Sequence, residues 1–269
     1  MAIDPQTLHD LLPAVNDLAV AAGRAILPFA RQVGQVQTKD DGSPLTQADL
    51  ASHRVIRDGL AALQPLLPLL SEEEDEDEPT VVAAWDVFWC VDPLDGTKEF
   101  VKGLDEYTVN IALVQAGRPV LGTVYAPATG VLYWAAAGGG AWKAEGEAAP
   151  VALRPRDRAD AEIAVVSRSH LSAETETFLR RLGVRRTIPR GSSLKLCAVA
   201  EGTADVYPRL GPTCLWDTAA AAAVALEAGC AVEDLSGRRL SYAPTHGLKH
   251  AGFVVRPAGL ELRKAAAAR

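Results

Sequence analysis

No run of about 18 uncharged apolar residues occurs in this 269-residue sequence, so no membrane-spanning helix is expected. No secretory signal is expected either. Met1-Ala2-Ile3-Asp4-Pro5 brings an acid early, with no basic stretch leading into an apolar one, and this points to a cytoplasmic chain. Peripheral association with the inner face of the membrane stays open. Cysteine is sparse: Cys90, Cys197, Cys214 and Cys230 are scattered without a CxxC pair, which speaks against zinc and for reduced, mostly buried thiols. Positive charge is in deficit. A formal net charge of −7 removes the basis for non-specific nucleic-acid binding, where Lys and Arg must neutralise phosphates. It leaves room for a small anionic ligand, because divalent cations bridge acidic side chains to phosphate. There is no internal repeat, and no serine or cysteine stands in a nucleophile motif with a matching base.

What the chain does have is an ordinary globular balance, 48% hydrophobic and 23% charged, enough for a core without covalent staples. Leu8, Leu11, Leu12, Val15, Leu18, Ala19, Ala22 and Ile26 recur at helical spacing and predict an amphipathic helix over residues 5–30. Turn residues crowd 39–44, and Thr46-Gln47-Ala48-Asp49 has the form of a capping box opening a second helix through Val55, Ile56 and Leu60. Strands are predicted at 87–91, 108–114, 120–125 and 131–135, the last three as an antiparallel meander. The low-complexity stretch 138–150 reads as a spacer between an N-terminal half, 1–150, and a C-terminal half, 151–269. Beyond it the sequence predicts a strand at 163–167, helices at 173–182 and 193–201, a short strand at 205–208 and an alanine-rich helix at 218–228. The class is α+β, shading into α/β in the second half.

The chemistry concentrates in Trp89-Cys90-Val91-Asp92-Pro93-Leu94-Asp95-Gly96-Thr97-Lys98-Glu99-Phe100. An apolar strand runs into two aspartates separated by a proline, which should halt the strand, and followed by a glycine that permits a tight turn. Both carboxylates can then converge with a backbone carbonyl between them, the oxygen-rich setting that Mg²⁺ requires. The plainer reading of this segment alone is a capped turn with solvated aspartates. Two further segments weigh against it. Ser71-Glu72-Glu73-Glu74 ends an apolar stretch with a carboxylate, either Glu72 or Glu73, and Leu215-Trp216-Asp217-Thr218 places an acid at a helix start. Asp217 there is an N-cap, a metal ligand, or both. The rest of the acidic run 72–78 reads as a solvated loop.

Taken in order, E-E, D-P-L-D-G-T and W-D-x-A-A resemble the metal-site signature of the inositol-monophosphatase superfamily, with similarity spanning roughly residues 23–254. The form Asp92-Pro93-Leu94-Asp95-Gly96-Thr97-Lys98-Glu99-Phe100 is closest to its 3′(2′),5′-bisphosphate nucleotidase branch. So are Tyr107-Thr108-Val109-Asn110, Ser167-Arg168-Ser169-His170, Gly191-Ser192-Ser193-Leu194-Lys195 and Tyr207-Pro208-Arg209. The resemblance implies an αβαβα layered sandwich, two or three Mg²⁺ ions, inhibition by Li⁺, and a small nucleotide bisphosphate as substrate. It assigns metal ligation to Glu72, Asp92, Asp95, Asp217 and the carbonyl of Leu94. Asp49 and Thr97 match the pair that orients the attacking water, and the Gly96 and Thr97 N–H groups face the phosphate. Ser167, His170, Gly191 and Lys195 match positions around the nucleoside and the second phosphate. Ala221 stands where the family commonly has glycine.

The implied reaction is hydrolysis of adenosine 3′,5′-bisphosphate to AMP by metal-activated water. The D-x-D spacing of phospho-aspartate chemistry is absent at Asp92 and Asp95. Inositol monophosphate or fructose 1,6-bisphosphate are the alternative substrates within the superfamily. A catalytically silent, metal-binding regulatory protein is the alternative of another class; retention of every acid and of Thr97 argues against it.

Overall fold

In the computed structural model, residues 2–30, 36–38, 44–74, 79–168 and 171–262 are described. Residues 39–43 of the turn expected at 39–44, residues 75–78 of the acidic run and the pair Ser169-His170 lie outside them. Asp4 opens helix α1 (Pro5–Ile26), accepting the N–H groups of Gln6 and Thr7, with Pro5 supplying the fixed φ of a first turn. Counted with the 3₁₀ turn Leu27–Phe29 that follows, this helix is long and apolar enough to cross a membrane, contrary to the expectation from uncharged runs, because a helix can carry one or two charges and keep a high mean hydropathy. Its stripe of Leu8, Leu11, Val15, Ala19, Ala22 and Ile26 is instead buried against protein. A two-stranded ribbon, β1 (Val36–Thr38) and β2 (Pro44–Thr46), leads into helix α2 (Gln47–Ala61), which starts at the capping box that the sequence predicts.

Helices α1 and α2 pack together on one face of a seven-stranded sheet. Its strands, in spatial as well as chain order, are β3 (Leu69–Ser71), β4 (Val87–Asp95), β5 (Thr108–Gln115), β6 (Arg118–Ala126), β7 (Val131–Ala136), β8 (Ala141–Glu145) and β9 (Val151–Ala152). Strands β3 and β4 run parallel and every other pair is antiparallel. Single helical turns, α3 (Pro79–Val82) and α4 (Thr97–Val101), flank β4. The expected spacer at 138–150 is therefore a strand, β8, and the sheet runs on across it. Glycines at both ends of a five-residue strand masked its alternation.

The remaining elements are β10 (Ile163–Ser167), α5 (Ala173–Leu182), β11 (Arg186–Arg190), α6 (Leu194–Ala200), β12 (Tyr207–Arg209), β13 (Thr213–Cys214), α7 (Ala219–Ala228), β14 (Cys230–Asp234), β15 (Lys249–His250) and β16 (Phe253–Pro257). Strand β16 lies between β12 and β14, and a bridge from Ala164 to Val206 joins β10 and its parallel neighbour β11 to this second sheet. Helices α6 and α7 fill the space between the sheets, and α5 covers the outer face of the second. The result is the expected αβαβα sandwich.

Period-two alternation decides which side chains reach the site. On β4, Val87, Trp89 and Val91 face α1 and α2, while Phe88 and Cys90 face α7. On β5, Val109, Ile111 and Leu113 take the first face and Ala112 and Val114 the second. Continuing the pattern, Asp92 and Asn110 project to the α7 side. Helix α7 approaches that face very closely: a Cβ on Gly122 would lie 2.2 Å from the Ala220 carbonyl oxygen. Only small side chains fit such a contact, which accounts for the run of buried alanines from Ala219 to Ala223, Ala221 among them.

Candidate metal centre and catalytic cleft

Parallel pairing sets the first two acids side by side. Strand β3 meets β4 with Ser71 opposite Val91, the Glu72 N–H donates to the Val91 carbonyl at 3.2 Å, and the next residue on β4 is Asp92. Pro93 does not halt the strand as expected. Strand β4 continues to Asp95 through an irregularity in which Asp92 pairs with Asn110 and Asp95 with Thr108. A β-bulge tolerates proline and re-aims side chains, so Asp95 turns toward the same cleft. Gly96 follows with φ +90, a left-handed turn that a residue with a Cβ adopts only at a cost, and it starts α4. From the facing layer, Asp217 precedes α7. Thr218 is the N-cap residue, so Asp217 is not, and its Oδ2 accepts the Cys214 N–H at 3.1 Å.

One carboxylate oxygen each from Glu72, Asp92 and Asp217 lies within 4.8 Å of the others, so the cluster takes Glu72 and not Glu73. Asp92 is almost fully buried; burial first, then the negative charges of Glu72, Asp95 and Asp217, holds its pKa well above the usual carboxylate range. Burial, then Asp95 and Glu72, does the same to Asp217. Burial pushes Asp95 up to about 6 against the opposing pull of Lys195, the Ser193 N–H and Asn110. Desolvated acids of one sign, with Lys195 only partly offsetting them, cost several kcal/mol. A divalent cation among them removes that cost, so this donor set fits Mg²⁺.

Behind the turn, Asp49 is buried and its Oδ2 accepts the Thr46 N–H at 2.8 Å and the Thr46 hydroxyl at 2.6 Å. Its Oδ1 lies 3.3 Å from Thr97 Oγ1, which is also 3.1 Å from the Leu94 carbonyl oxygen. The N3 carboxylate of the capping box is thus also the residue that the resemblance pairs with Thr97. The cleft in front is lined by Glu72, Asp92, Leu94, Asp95, Gly96, Thr97 and Asp217 on one wall and by Ser167, Gly191 and Lys195 on the other. Every site residue read from the sequence is therefore in or directly behind this cleft, except His170, which lies outside the described residues.

Two amides of the turn Gly191-Ser192-Ser193 are taken up internally: Gly191 N–H donates to Glu106 Oε2 at 2.9 Å and Ser193 N–H to Asp95 Oδ2 at 2.5 Å. Around Lys195, residues that the sequence motifs contain without an assigned role complete the wall. Ser192 lines the cleft with its hydroxyl buried and without a partner among the described residues. Lys195 donates to the Ser192 carbonyl and lies over the Tyr207 ring at 5.7 Å, and Arg209 borders the same space. Burial lowers the Lys195 pKa, against the pull of Asp95. Asn110 donates to Asp95 Oδ2 at 3.3 Å and accepts from the Ser193 hydroxyl at 2.8 Å.

An αβαβα sandwich that gathers carboxylates from adjacent strand ends and a helix start onto one cleft defines a metal-dependent phosphatase. Residues 7–266 match the inositol monophosphatase family, and the chain belongs to it. It is 48% identical over 248 residues to the 3′(2′),5′-bisphosphate nucleotidase CysQ of Escherichia coli strain K12, covering 91% of this chain and 99% of that one. The CysQ protein of Haemophilus influenzae is 31% identical, with 93% and 94% covered. Among solved structures, CysQ from Bacteroides thetaiotaomicron superposes with a TM-score of 0.80 at 40% identity, covering 92% of this chain and 97% of that one. The Thermotoga maritima inositol monophosphatase gives 0.77 at 25% identity, with 93% of each chain covered.

Proposed function

We propose that this chain is a Mg²⁺-dependent 3′(2′),5′-bisphosphate nucleotidase that removes the 3′-phosphate of adenosine 3′,5′-bisphosphate, leaving AMP and inorganic phosphate. The observation that carries the reading is the two-walled cleft: carboxylates on one side, and Lys195, Arg209 and the buried hydroxyl of Ser192 on the other. A monophosphate of a neutral polyol needs only the first wall, whereas a bisphosphate uses both. Identity of 48% with nucleotidases across almost the whole chain supports the same substrate. The activity belongs with sulfur-assimilation housekeeping in the cytoplasm.

Glu72, Asp92, Asp95, Asp217 and the Leu94 carbonyl would hold two or three Mg²⁺ ions. When bound, the ions neutralise charge on the transferred phosphoryl group and the leaving oxygen and acidify water. The chain's own groups do the rest. Asp49, fixed by its two bonds from Thr46, takes the hydrogen of the Thr97 hydroxyl, which leaves a lone pair of Oγ1 to accept a proton from the attacking water. Backbone N–H groups of Gly96 and Thr97, which line the cleft at the left-handed turn that starts α4, hold the phosphoryl oxygens. Lys195 and Ser192 take the phosphate that is not cleaved, and Ser167 borders the nucleoside. A substrate panel of adenosine 3′,5′-bisphosphate, inositol 1-phosphate and fructose 1,6-bisphosphate, with Mg²⁺ as the variable, tests the reading. Preference for either sugar phosphate, or turnover without a divalent ion, would refute it.

A further inference from the structure

The loop Gly191-Ser192-Ser193 is held at its two ends by different carboxylates. At one end Ser193 gives its N–H to Asp95, and its hydroxyl sits 2.8 Å from Asn110 Oδ1 and 2.9 Å from Thr108 Oγ1. At the other end Gly191 gives its N–H to Glu106 Oε2, and the same carboxylate receives both nitrogens of the Arg168 fork at 2.8 Å. Arg190 adds a longer contact at 3.5 Å. Between the two ends Ser192 has φ +45, the left-handed region in a residue that carries a Cβ. Such a conformation persists only where its neighbours over-determine it.

Resting on the nucleotidase reading, we propose that Glu106 is the positioning residue for the substrate wall of the cleft. It does not line the cleft itself. Its side chain is only 13% exposed and stands behind the loop at the entry to β5. Arg168 directly follows Ser167, and Gly191 directly precedes Ser192, so one carboxylate ties together two cleft-lining segments just where the β10–β11 pairing of Ser167 with Arg190 ends. A carboxylate suits this role because its two oxygens accept the planar Arg fork in parallel and still have a lone pair for the backbone N–H. Burial pushes the Glu106 pKa up, but the Arg168 fork and the Gly191 N–H outweigh it and hold the group ionised. The Ser193 end answers to Asp95 and Asn110 instead. The loop thus divides into an end that serves the metal wall and an end that serves the substrate wall, with Ser192 strained between them.

Two substitutions separate the ends. Glu106→Gln should raise KM for adenosine 3′,5′-bisphosphate about tenfold, the loss of a charge-assisted bond, while kcat stays within about twofold. The Mg²⁺ concentration for half-maximal rate should not move. Arg168→Lys, which keeps the charge and loses the fork, should shift KM the same way by less. Asn110→Ala should do the reverse, moving kcat and the Mg²⁺ requirement because it loosens Asp95. Amide hydrogen exchange at 190–193 should quicken in Glu106→Gln. Loss of kcat or a changed Mg²⁺ requirement in Glu106→Gln, or exchange as slow as in the wild type, would overturn the proposal. Wild-type enzyme that does not favour the bisphosphate would sink the nucleotidase reading instead, and the exchange measurement would still decide whether Glu106 holds the loop.

Discussion

The two walls of the cleft are built on opposite principles. The metal wall comes from neighbouring strand ends and a helix start, elements locked by sheet pairing and by the close contact of α7 with Gly122. The substrate wall comes from segments far apart in sequence: Ser167 ends β10 beside β11, Arg209 ends β12, and between them the loop at 191–193 is tied by side-chain carboxylates, Glu106 at one end and Asp95 at the other. Rigid elements can hold like charges in place against their own repulsion, which a loop cannot. Loops can change what they recognise without disturbing the chemistry. The difference predicts a hierarchy of mutational effects, steep on one wall and shallow on the other.

Asp95→Asn should give the largest loss, about 10³-fold or more in kcat with the fold intact, since the amide keeps the shape and removes the charge that holds the metal. Near-normal turnover at saturating Mg²⁺ would take Asp95 out of the ligand set and flatten the contrast between the walls. Thr97→Val comes next. It removes the hydroxyl proposed to link Asp49 to the attacking water, and about 10²-fold in kcat should go with little change in KM, measured at saturating Mg²⁺. If KM rose instead, Thr97 would belong to binding. On the other wall, Lys195→Ala should lower kcat/KM for the bisphosphate by roughly tenfold to a hundredfold and hardly touch a monophosphate. Equal losses on both substrates would tie Lys195, whose charge acts on Asp95, to the metal wall after all.

The same contrast governs what was legible in the sequence. Asp92, Asp95, Gly96 and Thr97 are contiguous, and Thr46 with Asp49 forms a local cap, so short-range spacing announces them. Asp217 stands out beside Trp216 at a helix start. Glu106 has no such signal, because its partners Arg168 and Gly191 lie 62 and 85 residues away. Asn110 and Ser193 fall in segments that carry the resemblance, but their bond to each other spans 83 residues and no local spacing announces it. The fold divides in a similar way. The meander and the long helices follow from hydrophobic period, whereas β8 was hidden between glycines. Strand β11, Arg186-Thr187-Ile188-Pro189-Arg190, is mostly exposed and polar and exists because it pairs with β10. Tertiary pairing, not local preference, decides such segments.

The smallest effect concerns stability, and it asks whether the metal wall is strained when no ion is bound. Asp95 has a folded-state pKa of about 6 against an ordinary value of 3.8. A raised folded pKa means that its contribution to stability is present below the unfolded value and is lost as pH rises through the folded one. The buried Asp92 and the partly buried Asp217 are shifted in the same direction. Metal-free protein should therefore lose stability from these acids as pH rises from about 4 to beyond 6. His250 acts oppositely, because burial lowers its pKa to about 4 and makes protonation costly at low pH. The melting temperature alone thus mixes two trends. The increment in melting temperature produced by Mg²⁺ separates them, since His250 contributes equally with and without the ion. That increment should grow as pH rises through 6, both because ionised acids bind the ion and because the unrelieved repulsion is larger. In Asp95→Asn, metal-free protein should melt a few degrees higher than wild type at neutral pH, with a smaller Mg²⁺ increment. An increment independent of pH between 5 and 8 would mean that the acids are relieved by something other than a bound cation, and the metal wall would lose its rationale.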